Sequence, residues 1–363
     1  MRRRTFLGTL PAAAVAMAAP APQDVPVKLG FDTYSLRAFG WKAPQLLDFA
    51  TQQKLDTVQI SSLNDYESRE PAYLQKIKDQ AARANISIDG GTGCICPSSK
   101  AFSKNGPPAA ERVLEGLRVS QAVGARSMRC YLGGSSDRVG DLPIEAHMEN
   151  TIKVFKSVRT QALDLGVKIA IENHDGDMQA REVKTIIEES GPDFVGSCLD
   201  TGNPMWVVED PMVSLEVLAP YVVTTHVRDS AVFEHPRGAA AQWVVLGDGN
   251  VDFVKFTAQF RKLCPKSSMQ MEVITGRPPR VIPYLERDFW KAFTKALAAE
   301  FARFVTLAKS GHPYMGAMVI EDVAGLQKPP VMVEALKEQQ RIDLARSLEY
   351  ARKTLNVGIN WRG

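Results

Sequence analysis

The sequence predicts an α/β fold, a (β/α)8 TIM barrel with a helical insertion after its eighth strand. Eight short β-rich runs alternate with amphipathic helical patterns along the chain, and strands separated by helices form parallel βαβ units. The runs are almost continuously apolar, which is typical of strands buried on both faces. No G-x-G-x-x-G motif follows the first run and no P-loop pattern occurs, so a nucleotide-binding open sheet is not favoured.

Each of the eight strands is predicted from a run of apolar and β-branched residues. Helical patterns with apolar residues three or four positions apart, such as APQLLDFATQQ and AERVLEGLRVSQAVGA, lie between them. The strands are LGFDTY from Leu29, TVQIS from Thr57, ISID from Ile86, SMRCYL from Ser127, KIAIEN from Lys168, VGSCLD from Val195, VVTTHV from Val222 and SMQMEVI from Ser268.

Residues 275–331 interrupt this alternation, because they are far longer than an ordinary βα connection. One long amphipathic helix is predicted inside them, around Phe289 to Ala308. The closing helix of the barrel then follows in the run ALKEQQRIDLARSLEYARKTL. Because βα connections open at the catalytic face of a barrel, the insertion is predicted to be a partial lid; a contact within a homodimer is the alternative.

The first 25 residues are predicted to be an export signal and a short linker, and residues 26–363 a single barrel. Arg3 and Arg4 precede Phe6 and an alanine-rich apolar stretch, which is typical of a twin-arginine signal cleaved after small residues. The stretch is too short to stay in a membrane as a permanent anchor. We therefore expect a periplasmic or secreted protein without a stable membrane anchor.

Composition predicts a soluble globular protein of the size of an enzyme, rather than a disordered or membrane chain. The 363 residues are 45% hydrophobic and 23% charged, and the formal net charge is +3. These values are typical of a globular enzyme. Because basic and acidic residues are mixed along the chain, no nucleic-acid partner is expected.

Four consecutive predicted strands end in residues that bind metal ions. Glu172, Asp200, His226 and Glu272 end strands five to eight, and strand ends of a barrel converge on one site. Each residue alone is weak evidence, since a buried Glu is more often the partner of a core Arg. Together, three carboxylates and an imidazole form an oxygen-rich site for one divalent cation: Mn²⁺ is expected, and Mg²⁺, Co²⁺ and Zn²⁺ are alternatives.

The motifs IENH, LDTGN, HVRDS, GDGNVDF and MEV occur in an order and spacing that resemble the sugar phosphate isomerase/epimerase family, the xylose isomerase-like TIM barrels. By position, the resemblance places the family's single metal on Glu172, Asp200, His226 and Glu272, with Glu172 and Glu272 as the catalytic acid/base pair. The related endonuclease IV binds three zinc ions through several more histidines, and the five histidines of this chain do not supply them.

Candidate substrate-binding residues lie beside these ligands. His174 and Arg228 follow Glu172 and His226 by two positions, so the period of a strand directs them into the mouth; the alternative is loop residues, solvated or paired with the acids that follow them. Asn203 stands where family epimerases commonly have a histidine, and Trp206 is a candidate for stacking on a sugar.

These residues predict a metal-dependent isomerase or epimerase of a non-phosphorylated keto sugar. A base would remove the proton beside the carbonyl, forming an enediolate, and an acid would return it on the other face or on the neighbouring carbon. One alternative is a 3-keto-glycoside lyase or hydrolase, in which the same abstraction is followed by elimination. A non-catalytic sugar-binding barrel is the third, less favoured, interpretation.

Overall fold

Eight parallel strands form the nearly closed barrel that the sequence predicts. The computed structural model describes residues 26–316, 319–323 and 325–363, so the predicted export signal lies outside the described residues. The barrel strands follow one another in chain order around the sheet, with β10 beside β1. They are β1 (Leu29–Asp32), β2 (Thr57–Ile60), β3 (Ser87–Cys94), β4 (Ser127–Tyr131), β5 (Lys168–Glu172), β6 (Val195–Asp200), β7 (Val222–His226) and β10 (Met269–Met271).

The barrel closes through β10, the shortest of these strands. On one side it pairs with β1, with Gly30 opposite Gln270. On the other side a single parallel bridge joins Val227 to Met271. The Val227 amide donates to Gln270 O at 2.7 Å, and the Glu272 amide donates to Val227 O at 3.0 Å. These last bonds place Glu272 next to the end of β7.

Helices cover the outside of the barrel, and most of them bury an apolar face against it. In α7, for example, Val183, Ile186 and Ile187 are buried. The helices are α1 (Ala43–Gln52), α2 (Pro71–Arg83), α3 (Ala109–Ala122), α4 (Ser135–Arg138), α5 (Ile144–Ser157), α6 (Arg159–Leu165), α7 (Ala180–Ser190), α8 (Pro211–Leu218), α9 (Phe253–Leu263), α10 (Ala298–Ser310) and α11 (Pro330–Lys353). Within the described ranges, none of them combines the length and the apolar character that crossing a membrane requires.

The connection after β7 contains an antiparallel hairpin that was not predicted from the sequence. Strand β8 (Asp229–His235) pairs with β9 (Gly238–Val244), and β11 (Arg280–Ile282) from the insertion adds to the edge of β9. Asp229 anchors the hairpin because its carboxylate accepts the amides of Gly247 at 3.0 Å and Gly249 at 3.1 Å. The insertion is thereby attached to the catalytic end of the barrel.

The prediction of a single long helix around Phe289 to Ala308 is wrong. A short 3-10 helix (Arg287–Ala292) is followed by a break, and α10 begins only at Ala298. At the break Phe293 leaves the helical conformation, is buried, and packs against Phe289 and the guanidinium of Arg138. Burial of this ring against the barrel outweighs the local helical preference.

A layer of hydrogen-bonded polar side chains fills part of the barrel interior. Asp89 accepts hydrogen bonds from Ser127 at 2.8 Å, Gln270 at 2.9 Å and Thr224 at 3.1 Å. Burial raises the pKa of Asp89 above its ordinary value, although these bonds oppose the shift. Thr224 also contacts Gln59 Oε1 at 2.8 Å, so this layer continues toward the ends of the strands.

We predict that Gly30→Ala destabilises the barrel. A Cβ at Gly30 would lie 2.3 Å from the backbone oxygen of Thr57, and overpacking of this kind costs about 1–3 kcal/mol of unfolding free energy. Urea denaturation followed by circular dichroism measures the loss. In Gly93→Ala, the matched control, the new methyl group would meet only the Tyr131 hydroxyl at 3.8 Å; equal stability of the two variants would contradict the prediction.

Candidate metal centre and active site

The four predicted metal ligands come together in the structure. One ligand atom from each of Glu172, Asp200, His226 and Glu272 lies within 4.8 Å of all the others. His226 Nδ1 is 3.3 Å from Glu172 Oε1, 3.3 Å from Glu272 Oε2 and 3.8 Å from Asp200 Oδ2. All four residues are buried.

Strand position explains this convergence. Glu172, Asp200 and His226 are the last residues of β5, β6 and β7, and Glu272 directly follows β10. Asp200 and His226 are opposite each other in the register of β6 and β7. Because parallel barrel strands end on the same face, residues in these positions share one volume.

Two buried arginines neutralise part of the negative charge of the cluster. Arg129 on β4 forms an ion pair with Glu172, and Arg228 bridges Asp200 and Glu272. Arg228 was predicted as a substrate residue, whereas Arg129 was missed. The signal for Arg129 was present, since a charged residue interrupts the apolar run SMRCYL.

The charge of the cluster fits a divalent cation. A fourth carboxylate, Asp32, is buried, and its Oδ2 lies 3.3 Å from His226 Nε2 with no hydrogen-bond partner among the described residues. Four buried carboxylates face two buried guanidiniums, Arg129 and Arg228, which leaves two negative charges. A divalent cation bound by the predicted four ligands would balance them, and carboxylate and imidazole donors are suited to such an ion.

The pKa values indicate where protons bind when no cation is present. Burial raises the pKa of Asp200 to about 7, despite Arg228. For Glu272, burial is outweighed by the Arg228 guanidinium and by His226, which lower the pKa to about 2. For Glu172, burial is likewise outweighed, by Arg129 and His226, and the pKa falls well below its usual range. Asp200 is therefore the carboxyl group of this cluster that holds a proton near neutral pH.

The two ring nitrogens of His226 have different surroundings. Nδ1 faces the three carboxylates, whereas Nε2 contacts the Gln59 amide group at 2.6 Å and faces Asp32 Oδ2. A cation bound at Nδ1 would take the place of a proton on that nitrogen, while Nε2 keeps its contacts with Gln59 and Asp32. Such a contact behind a metal-binding imidazole orients the ring and selects its tautomer. Gln59 was noted in the sequence, but its contact with His226 depends on the barrel.

A cavity of about 700 Å³ opens above the cluster at the mouth of the barrel. Glu272 lines this cavity, whereas Glu172, Asp200 and His226 lie beneath its floor. All four predicted substrate-binding residues line it as well: His174, Asn203, Trp206 and Arg228. A ligand in the cavity would therefore meet Glu272 first among the predicted metal ligands.

His174 and Asn203 are held in place by neighbouring groups. His174 Nδ1 lies 2.6 Å from Gly133 O, and its ring stacks on Tyr131 with centroids 3.9 Å apart. Burial lowers the pKa of His174, so its imidazole is neutral at neutral pH. Asn203 donates to Glu172 Oε1 at 3.2 Å, and its own Oδ1 is buried without a partner in the described part of the chain.

The proposed loop pairing of His174 and Arg228 with the acids that follow them is wrong. Arg228 pairs with Asp200 and Glu272 rather than with Asp229, and its guanidinium lies over the ring of Trp243, 4.2 Å from the ring centroid. Asp175 pairs instead with Arg280 of the insertion, at 2.6 Å.

Residues 29–282 match the model of the xylose isomerase-like TIM barrel family. The chain belongs to this family. The matched range covers all eight barrel strands and all four residues of the cluster, and it includes β11 at its end. The resemblance inferred from the motifs is thereby confirmed.

Individual relatives are distant. The chain is 22% identical over 242 residues to a 3-oxo-isoapionate decarboxylase of Pectobacterium atrosepticum, covering 62% of this chain and 78% of the relative. A crystal structure of D-psicose 3-epimerase in the presence of D-fructose matches with a TM-score of 0.56, 15% identity, and coverage of 90% of this chain and 99% of the other. A crystal structure of IOLI with a bound zinc atom matches with a TM-score of 0.53 and 13% identity, covering 77% and 95%. At these identities the two structures show a shared fold.

We predict that the cluster binds one equivalent of Mn²⁺, measured by isothermal titration calorimetry on chelator-treated protein. Glu172→Gln should weaken binding at least about tenfold, because one donor and one negative charge are lost. The matched control is Glu209→Gln, which alters another buried carboxylate, one that accepts from Ser214 at 2.6 Å. Equal Mn²⁺ affinity in both variants would contradict the assignment.

Mn²⁺ affinity should also rise with pH. In the metal-free protein Asp200, with a pKa of about 7, binds a proton that the cation must displace. His226 also binds a proton, because neighbouring acidic groups outweigh burial and raise its pKa well above its usual value. Both protons compete less as the pH rises, so the dissociation constant should fall as the pH increases from 6 to 8. A dissociation constant that does not change over this range would contradict the prediction.

Proposed function

We propose that this protein is a divalent-metal-dependent enzyme that isomerises or epimerises a non-phosphorylated keto sugar. The observation that carries the proposal is the buried set Glu172, Asp200, His226 and Glu272 beneath a cavity of about 700 Å³. Membership of the family, and relatives named as an epimerase and a decarboxylase of sugar-derived substrates, support an enzyme that acts on carbohydrates.

The metal is proposed to be Mn²⁺, held by these four side chains. Three carboxylates and one imidazole form a hard donor set that also accepts Mg²⁺, Co²⁺ or Zn²⁺. When bound, the cation supplies Lewis-acid stabilisation of negative charge that develops on a substrate oxygen.

The protein's own groups then move the proton. Glu272 borders the cavity and is ionised, since Arg228 and His226 outweigh burial and lower its pKa, so it is in the form that accepts a proton from the carbon beside the carbonyl. Glu172, at the end of β5 on another side of the cluster, is the proposed partner; because its carboxyl is ionised, it would first take up a proton from solvent and then return it to the substrate, while Glu272 keeps the proton it removed. Arg228 touches Glu272 and orients its carboxylate.

We assign the orientation of the substrate to polar and aromatic side chains in the wall of the cavity. Asn203 borders the cavity and is a proposed substrate contact, and neutral His174 donates its Nδ1 proton to Gly133 O, which leaves Nε2 as an acceptor for a sugar hydroxyl. Trp206 presents a ring to the cavity, suited to stacking on the C–H face of a sugar.

Cleavage beside the keto group is the second candidate. The relative named 3-oxo-isoapionate decarboxylase favours it, because loss of carbon dioxide beside a ketone also leaves an enediolate-type anion. Elimination from a 3-keto-glycoside begins with the same proton abstraction by Glu272.

We further propose that the reaction takes place in the periplasm after twin-arginine export.

The proposal predicts solvent exchange at carbon. Metal-loaded protein incubated in D₂O with ketohexoses should give isomers that carry deuterium, detected by NMR, whereas 3-keto-glycosides that release aglycone would establish the second candidate. Glu272→Gln should lower the rate about 10²–10⁴-fold, the usual contribution of a positioned acid or base. Glu286→Gln, which changes an exposed residue paired with Arg237, is the control. Full activity of Glu272→Gln would contradict the assignment.

A further inference from the structure

The wall of the cavity carries more positive than negative groups. Four arginines line it, and two carboxylates, Asp175 and Glu272, do so. A neutral sugar requires no such excess, because hydroxyl groups are recognised by hydrogen bonds from groups of either charge. The arginines are Arg129, Arg228, Arg277 and Arg280.

Three of the four guanidiniums are already engaged by carboxylates. Arg129 and Arg228 are paired with the cluster, as described above. Arg280 donates to Asp175 Oδ1 at 2.6 Å and to Ser135 Oγ at 3.0 Å. Its guanidinium also lies 4.4 Å from the centroid of the Trp206 ring, so Arg280 is fixed at the rim by contacts on two sides.

Arg277 is the exception. It is half-buried at the cavity, and across residues 26–316, 319–323 and 325–363 its guanidinium has no hydrogen bond or ion pair. The nearby acid Asp322 is occupied, since it pairs with Arg37 and, at 2.9 Å, with Lys328. A cation in this position is available to a ligand.

The backbone around Arg277 is held in place. Gly276 adopts a left-handed conformation with φ of 80°, and its carbonyl accepts the Asp322 amide at 2.8 Å. The carbonyl of Arg277 accepts from Gln242 of β9 at 2.9 Å. Pro278 and Pro279 follow and restrict the chain further. The guanidinium is therefore carried by an anchored segment of the cavity wall.

When the charges around the cavity are counted, the positive charge of Arg277 is the one that no carboxylate balances one for one. The four buried carboxylates of the cluster, with Asp32, are balanced by Arg129, Arg228 and one divalent cation. Arg280 and Asp175 cancel each other at the rim. Arg277 shares the single carboxylate of Asp322 with Arg37 and Lys328, so positive charge remains at this part of the wall, and a ligand that carries one negative charge would complete the site.

We infer that the substrate of this site is a keto sugar that carries a carboxylate, bound by Arg277, with Arg280 beside it on the cavity wall. The inference rests on the proposed function and narrows its substrate class. A guanidinium binds a carboxylate through two parallel hydrogen bonds. A phosphate can make the same pair of bonds, but phosphate sites commonly add backbone amides, which Pro278 and Pro279 do not have, so the segment favours a carboxylate.

The test compares sugars that share one carbon skeleton. D-fructose, its C1 acid 2-keto-D-gluconate, its C6 acid D-fructuronate, and D-fructose 6-phosphate are titrated into Mn²⁺-loaded protein by calorimetry. At least one of the two acids should bind at least tenfold tighter than D-fructose and tighter than the phosphate. Arg277→Gln should remove that advantage without changing the dissociation constant of D-fructose. Added NaCl should weaken binding of the acid in wild-type protein more than in the variant.

Arg341→Gln is the matched control, because Arg341 pairs with Glu338 on the exposed side of α11, away from the cavity lining. The inference is overturned if D-fructose binds as tightly as both acids, if the phosphate binds tightest, if Arg277→Gln weakens D-fructose equally, or if no acid binds. Tightest binding of the phosphate would also contradict a non-phosphorylated substrate. The other results leave the proposed function standing when solvent deuterium still enters a neutral keto sugar and Mn²⁺ still binds, so the two failures are distinguishable.

Discussion

The burial of four carboxylates around one imidazole is the constraint that shapes this end of the barrel. Carboxylates removed from water are stable only when cations or hydrogen-bond donors replace the lost solvation. Arg129 and Arg228 supply two charges, and Asp200 holds a proton near neutral pH because its pKa is about 7. The remaining imbalance is the physical reason that these residues suit a divalent cation.

The architecture supports this cluster from below and encloses it from above. Below it, the polar layer around Asp89 reaches through Thr224 and Gln59 to His226, so the imidazole is held by hydrogen-bonding groups rather than by apolar packing. Above it, the hairpin β8–β9 and the insertion that joins it through β11 place Arg277 and Arg280 at the cavity. The barrel strands supply the cluster, and the segments after β7 and β10 supply part of the wall that a substrate would meet.

The same site geometry is compatible with isomerisation and with bond cleavage, because both reactions pass through an anion beside a ketone. The two reactions differ chemically in the group that lies on the side of the substrate opposite that anion. A carboxylate on the substrate, placed at Arg277, would fix the orientation of the substrate in either reaction.

The sequence by itself determined the barrel and the four candidate ligands, because alternating strands and helices and polar residues at strand ends are local patterns with one geometric consequence. It also indicated the cavity positions of His174 and Arg228 through the period of a strand. Only the tertiary structure decided that Arg129 pairs with Glu172, that Arg228 bridges Asp200 and Glu272, and that Phe293 breaks the predicted helix. Those outcomes depend on contacts between residues distant in the chain, where side-chain reach, burial and charge compensation outweigh local preference.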